Sequence, residues 1–416
     1  MDSEKRTCAI SKSEIYIYTL SNGIKCFVIP KKDFKTSMAM AVINFGSACE
    51  GFYENNSFFE IPYGTAHFME HKLFDKKDKS IFSLLSQNGA DVNAFTDHSK
   101  TAYYFSCQND FYKNLKLLVE MISTPYFDEI GIENEKSIIK SEINMYKDIP
   151  DRQVFTNLTK IMYPDSALGC EIAGTEKTIE KITPEILYKC YNTFYEPKNI
   201  SIICCGDIEP EKTSLIIQNT NFKTNNIQKY LPTKEIKSKS DFYSEEKGLN
   251  EPVFNIGFKC HLFKNTPLNT LLLKIAFDIL MSEGSMLYQS LCDRKILHSP
   301  AGFSIVSSPE GSFCTVSLKG TSPQYTAQAF IKTAQYLAHK GISQNSLKRI
   351  KSMYTGQMIR GFNSIEEICM AQAELAPFGF SLADREDALA NINSDMICSV
   401  SENIFKRQNA FLSVIK

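Results

Sequence analysis

The sequence predicts an α+β protein built as two homologous halves, each a mainly antiparallel sheet with helices packed on one face. Three observations lead there. The chain has 416 residues, more than a single core organises, so at least two domains are expected. β-rich runs near the start give way to a long helical region. After residue 250 the same order of strands and helices is run through again, which reads as duplication although residue identity between the halves is slight.

In the first half, Ile15 to Thr19 and Ile24 to Ile29 are rich in strand-forming residues and flank Ser21-Asn22-Gly23, a hairpin signal. Ser37 to Phe45 continues as a third strand stopped by Gly46. Helical patterns cover Thr65 to Phe74 and Ser80 to Gln87, the second closed by Asn88-Gly89. Strands Asp91 to Thr96 and Thr101 to Cys107 follow. Helices then dominate from Asp110 to Tyr195, and a strand over Asn199 to Cys205 ends at Gly206. Residues 221–250 are polar and poor in pattern, with Lys234, Lys237 and Lys239 among Ser, Thr and Glu, and read as a linker. The expected domains are therefore 1–220 and 251–416. The second half runs strand Pro252 to Cys260, helix Leu268 to Met281 and helix Ser285 to Asp293. Strands Ala301 to Val306 and Ser312 to Leu318 come next, then helices from Gln324 to Phe405 and a last strand, Ala410 to Ile415.

Composition excludes several classes. A hydrophobic fraction of 43% and a charged fraction of 22% are those of a globular protein. The net charge of -1 gives no global pull toward nucleic acid or an anionic membrane. No apolar run reaches the 18 residues of a membrane span; Leu268 to Met281 is interrupted by Asn269, Lys274 and Asp278 and suits a buried helix. No apolar segment follows Met1-Asp2-Ser3-Glu4-Lys5-Arg6, so no secretory signal is expected. The 13 cysteines form no CxxC and only one adjacent pair, Cys204-Cys205; they read as reduced thiols in a cytoplasmic protein.

The chemistry centres on Gly64-Thr65-Ala66-His67-Phe68-Met69-Glu70-His71. On a helix, His67 and His71 form an i,i+4 pair with Cβ atoms about 5–6 Å apart. Two imidazoles so placed can share one tetrahedral zinc ion at about 2.0–2.1 Å. Glu70 would project beside the metal, where a carboxylate can take a proton from bound water and pass it to a leaving amine. A lone histidine on an apolar face is usually a core residue; two at helical spacing with a glutamate between them point to a metal site.

Such a site needs a third protein ligand. In the helical segment Glu135 to Tyr146, the residues Glu135, Ile138, Ile139, Glu142, Ile143 and Tyr146 share one expected face. Lys136, Ser137, Lys140, Ser141, Asn144 and Lys147 share the other. Two carboxylates within an apolar stripe are costly to bury unless a cation or hydrogen bonds compensate. A metal ligand and a supporting carboxylate would explain them; so would a place at the stripe's edge, reaching water. A site of two histidines and one glutamate also accepts Mn²⁺ or Co²⁺.

HFMEH, followed downstream by Glu135 through Glu142, resembles the pitrilysin–insulinase family of inverted-motif zinc peptidases. Gly64-Thr65-Ala66, Leu73-Phe74, Asn93-Ala94-Phe95-Thr96 and Met145 to Pro150 match as well. The likeness covers essentially the whole chain and is greatest to the short bacterial branch related to the mitochondrial processing peptidase. It implies one zinc per chain held by His67, His71 and Glu142, with Glu70 as general base and Glu135 as supporting carboxylate. It also implies that Asn93 and Ala94 lie on an edge strand that pairs with substrate backbone, which suits unfolded peptides. The two halves are expected to face each other, the second one lacking ligands and serving structure.

Active members of the family commonly contribute an Arg and a Tyr from a second-half domain. The matching stretch, Leu291 to Phe303, contains Arg294 but no tyrosine, and Phe303 has no hydroxyl to donate. A heterodimer with a paralogous subunit that lacks the metal motif is therefore expected, a homodimer being the alternative. The leading expectation is an endopeptidase acting on short or unfolded peptides, with maturation of a precursor peptide as one role. The rivals are a non-catalytic assembly subunit of the same fold and a zinc enzyme that does not cut peptides. His98, near the Asn93 strand, is a minor candidate for the site; His261, His298 and His339 are expected in the surface or core.

Overall fold

The computed structural model describes residues 2–222, 238, 240–260, 264–308 and 311–416. The strands are β1 (Asp2–Thr7), β2 (Glu14–Thr19), β3 (Lys25–Pro30), β4 (Ser37–Ile43), β5 (Gly51–Glu54), β6 (Ser57–Glu60), β7 (Asp91–Thr96), β8 (Thr101–Cys107), β9 (Ile200–Gly206), β10 (Phe242–Glu245), β11 (Val253–Lys259), β12 (Gly302–Ser308), β13 (Gly311–Lys319) and β14 (Ala410–Ile415). The helices before the second sheet are α1 (Thr65–Lys72), α2 (Ile81–Gln87), α3 (Phe111–Ser123), α4 (Glu129–Tyr146), α5 (Pro150–Met162), α6 (Glu176–Ile179), α7 (Pro184–Phe194) and α8 (Pro210–Gln218). Those after it begins are α9 (Pro267–Met281), α10 (Met286–Asp293), α11 (Pro323–Lys340), α12 (Gln344–Gly361), α13 (Ile365–Ala373), α14 (Leu382–Asn391) and α15 (Ser394–Ile404).

The duplication is written in the sheets. The first runs β1-β2-β3-β9-β4-β8-β7 and the second β10-β14-β11-β13-β12. In the first, β3 and β9 are parallel, and β9/β4, β4/β8 and β8/β7 are antiparallel. In the second, β10 and β14 are parallel, and β14/β11, β11/β13 and β13/β12 are antiparallel. Five strands thus repeat in order and direction, and β7 and β12 are the corresponding edges. β1, the β5–β6 hairpin, α8 and β10 went unforeseen: β1 and β6 are largely exposed and polar or short, so they carry no apolar alternation. β10 falls inside the stretch expected as a linker; residues 223–237 and 239 within it, and His261, lie outside the described residues.

Each sheet is covered twice. Met38, Met40 and Val42 of β4 pack with Ile365, Ile368 and Cys369 of α13, while the alternate residues Ala39, Ala41 and Ile43 are also fully buried in a sheet that α3 contacts. In the second sheet β11 is buried along its whole length, with α5 packed on β11 and β14. A covering helix therefore comes from outside each half's own stretch of sequence. The compact units follow this packing: one is Met1–Ser141, Ile172–Leu231 and Gly356–Asp387, the other Glu142–Glu171, Pro232–Thr355 and Ala388–Lys416. The division falls inside the continuous helix α4. A straight cut near residue 220 describes the order of the duplication, and packing exchanges two segments across it.

Candidate metal centre

α1 begins at Gly64, whose φ of 94° lies in the left-handed region, and a Cβ there would sit 2.5 Å from the Ala173 carbonyl oxygen. Only glycine starts the helix so close to that carbonyl. Thr65 Oγ1 donates to the Pro62 carbonyl at 2.6 Å, fixing the turn before the motif. Phe68, Met69 and Leu73 are fully buried and anchor the helix, which contacts β7 and β8. His67 and Glu70 are buried as well, and His71 is half-buried.

α4 is anchored by Ile132, Ile139 and Ile143, all buried. Its inner face is turned from the expected one. Ile138 is 56% exposed, and Lys136, expected on the polar face, is only 6% exposed. The lysine stem is buried while its ammonium reaches Glu133 Oε1 at 2.6 Å and the Glu180 carbonyl at 3.2 Å. A lysine that ends on two oxygens is as compatible with burial as an isoleucine, which pattern reading does not see.

His67, His71 and Glu142 each offer a ligand atom, and these atoms lie within 4.8 Å of one another. The two imidazole centroids are 4.6 Å apart. His71 Nδ1 lies 2.8 Å from Glu135 Oε1, so its other ring nitrogen, Nε2, is the one to offer a metal. Tyr146 Oη donates to Glu142 Oε1, and the Arg152 guanidinium lies 3.5 Å from the Tyr146 ring centroid. Burial pushes the Tyr146 phenol up, and the Glu142 carboxylate adds to the shift, so the hydroxyl stays a donor. Two imidazoles and one carboxylate, with a carboxylate behind one imidazole, are the donor set of a zinc-type site, and the close approach of the three ligand atoms fits it. The structure brings together His67, His71, Glu142 and Glu135.

Glu70 meets the end of β7: Thr96 Oγ1 donates to Glu70 Oε2 at 2.6 Å. Asn93 is exposed and Ala94 half-buried on this strand, which pairs with β8 and forms the sheet's edge. The Asn93 side chain folds back to accept from the Ala94 N–H at 2.8 Å. Beneath α1, the Tyr103 and Tyr195 hydroxyls lie 2.8 Å apart, and Tyr103 donates to the Met69 carbonyl at 3.4 Å. Burial pushes both phenols up, so they are hydroxyl donors and not anions. Thr96 and Tyr146 stood in the matched stretches but carried no expected role; hydroxyls on a strand end and a helix end give no periodic signal.

His98 is buried against Ser47 Oγ at 3.1 Å, and burial pushes its imidazole down to about 4. It belongs to the turn after β7. His298 pairs with Glu251, and His339 is exposed at the end of α11. In the second unit, Phe303 stacks on Phe277 of α9 at 4.6 Å, and Arg294 Nη1 donates to Tyr325 Oη at 2.7 Å. The stretch around Arg294 lacks a tyrosine in sequence, but α11 brings one to it.

None of the 13 cysteines forms a disulfide, and most are buried. Among the described residues no helix is long and apolar enough to cross a membrane.

Residues 28–176 match the family described as Insulinase (Peptidase family M16), and residues 181–354 match the Peptidase M16 inactive domain. The chain is 30% identical to the uncharacterized zinc protease YmfH of Bacillus subtilis, over 93% of this chain and 92% of that one. It is 28% identical to the mitochondrial-processing peptidase subunit beta of Dictyostelium discoideum, over 54% of this chain and 46% of that one. Its fold matches an M16-like peptidase from Alicyclobacillus acidocaldarius with a TM-score of 0.89, at 23% identity, over 100% of this chain and 98% of that one. With two matched domains in sequence order and a relative aligned over nearly its full length, the chain belongs to the M16 (insulinase) family of peptidases.

Proposed function

We propose that this chain is a zinc metalloendopeptidase that cuts short or unfolded peptides. The observation that carries the reading is the gathering of His67, His71 and Glu142, with Glu70 next to the second histidine in sequence and the edge strand β7 ending on its carboxylate. In this reading His67, His71 and Glu142 hold one zinc ion, and Glu135 orients His71. When bound, the ion supplies Lewis acidity at the scissile carbonyl. Glu70 takes a proton at its carboxylate from the attacking water and returns it to the leaving amine. Asn93 and Ala94 lend the open edge of β7 to an extended peptide, whose backbone adds as a further strand.

The division of labour follows the duplication. Residues 1–220 form the metal-binding half, 221–250 the connection, and 251–416 a half without ligands. We read the chain as the catalytic subunit of a heterodimer whose other M16 subunit lacks the metal motif and completes the substrate site; maturation of a precursor peptide fits such a pair. The Arg294–Tyr325 contact supports a homodimer as the competing arrangement, since it supplies a guanidinium and a hydroxyl together. A cytoplasmic location agrees with 13 cysteines that form no disulfide.

The test is cleavage of a peptide library, read by mass spectrometry, with zinc content measured on the same samples. Glu70→Gln is the control, and each protein is assayed alone and with a motif-lacking M16 subunit from the same genome. Cleavage lost in the control with zinc retained supports the peptidase. Activity only with the second subunit supports the heterodimer, and full activity alone sinks it. Absence of both zinc and cleavage would move the chain to a non-catalytic role.

A further inference from the structure

The turn that joins β7 to β8 is held more firmly than a four-residue turn requires. Asp97 accepts through Oδ1 from the Ser99 N–H, the Ser99 hydroxyl and the Lys100 N–H, and through Oδ2 from Lys100 Nζ at 2.7 Å. Lys100 is itself buried and also reaches Glu374 Oε1 at 3.0 Å. On its other side the turn receives backbone bonds from Ser47 to Asp97 at 2.9 Å and from Ala48 to His98 at 3.0 Å. His98 adds its contact with Ser47 Oγ. Gly46 permits this approach, since a Cβ there would meet the backbone of residues 98 to 100 at 2.5 Å. The register Thr96↔Thr101 is thereby fixed.

Proton accounting on the two threonines then has one solution. Thr101 is fully buried, and its hydroxyl donates to the Phe45 carbonyl at 2.8 Å. Its single proton is committed, so toward Thr96 Oγ1, 3.3 Å away, it offers only a lone pair. The Thr96 proton has two acceptors: Thr101 Oγ1 at 3.3 Å and the Glu70 carboxylate at 2.6 Å. The shorter, charge-assisted bond wins. Glu70 Oε2 is tied, through one hydroxyl, to the end of the edge strand that the hydrogen-bonded turn braces.

We propose that Thr96 is a positioning residue: its hydroxyl fixes the Glu70 carboxylate and couples it to the strand on which peptide substrate docks. This rests on the reading of Glu70 as the general base and of β7 as the docking strand. A base must stand within hydrogen-bond reach of its proton before its acidity matters, and a displacement of about 1 Å can cost on the order of 100-fold in rate.

The experiment compares Thr96→Val, which keeps the shape and loses the hydroxyl, with Thr96→Ser, which keeps the hydroxyl, in the zinc-loaded protein under the conditions in which the wild type cleaves. The expected result for Thr96→Val is a fall in kcat of about 10–100-fold with KM and zinc content unchanged, and for Thr96→Ser a return to within about threefold. A loss carried by KM, or a Thr96→Ser variant as slow as Thr96→Val, would overturn the proposal. A readout independent of cleavage is the thermal midpoint in both Glu70 and Glu70→Ala backgrounds. Thr96→Val should lower it beside Glu70 by about 2 °C and by clearly less once the carboxylate is gone. Equal shifts in the two backgrounds overturn the positioning whatever the activity. If the wild type cleaves no peptide while the shifts differ, the peptidase reading fails and the Thr96–Glu70 tie stands.

Discussion

His71 Nδ1 and Glu135 Oε1 lie 2.8 Å apart, and Glu135 stands two helical turns before Glu142 on the same helix. α4 therefore carries both a proposed ligand and the group that would orient a proposed ligand on α1. The hydrogen bond sets the tautomer of His71 and the plane of its ring, and the carboxylate makes that imidazole a stronger donor. Glu135→Gln should weaken zinc binding about 10–100-fold, measured by competition against a chromogenic chelator, while the circular dichroism spectrum stays unchanged. Wild-type affinity would remove Glu135 from the site.

Tyr146 and Glu142 give a graded comparison. Glu142→Ala deletes a proposed ligand and should reduce zinc affinity by more than about 100-fold. Tyr146→Phe removes only the hydroxyl that donates to Glu142 Oε1 and should cost less than about 10-fold. The same chelator competition ranks them. If Tyr146→Phe equals Glu142→Ala, the phenol is holding the geometry of the centre and not merely one oxygen of its ligand.

The legible part of this molecule is the part with periodic or local signals. The bounds of β7 and β8 follow from alternation, and α1 from HxxEH behind a glycine. Glu142 stood out as a candidate because a carboxylate among Ile139 and Ile143 is anomalous in an apolar stripe, and only the histidine pair turned that anomaly toward ligation. Other features depend on distant chain. Nothing local in Ile200–Gly206 says that it inserts between β3 and β4, or that α13 and α5 cover sheets outside their own halves. Lys136 shows the same limit at one side chain: its burial depends on the carbonyl of Glu180, which no window around Lys136 contains. The Arg294–Tyr325 contact was hidden because its partners are separated by two strands and a turn.

Gly64 tests the start of the motif helix. At φ 94°, with the Ala173 carbonyl 2.5 Å from any Cβ, Gly64→Ala combines a left-handed backbone with a clash against main chain. The cost should be about 2–3 kcal/mol, and urea unfolding measures it. Because relief requires α1 to shift against the chain at Ala173, zinc affinity should fall along with stability. A stable variant with unchanged zinc affinity would show that the helix start adapts without moving His67.

His98 gives the pH dependence. Burial, opposed by the neighbouring Asp97, lowers its imidazole from the ordinary 6.5 to about 4. The unfolded chain therefore takes up a proton near pH 6.5 that the folded chain refuses until about pH 4. Stability contributed by neutral His98 is complete above pH 6.5, falls as pH drops through that window, and levels off below it. The span corresponds to about 3 kcal/mol at most. Burial would raise the Asp97 carboxyl, but Lys100 and the Ser99 and Lys100 N–H groups outweigh it and hold it low, so its contribution is lost as pH falls through a lower range and the two are separable. Thermal midpoints taken in chelator, to exclude protonation of bound ligands, should fall between pH 6.5 and 4.5 in the wild type. His98→Gln, which keeps an acceptor and a donor for Ser47, should start lower at pH 6.5 and decline less over the same interval. Parallel declines in the two proteins would place the acid sensitivity elsewhere and leave His98 as packing alone.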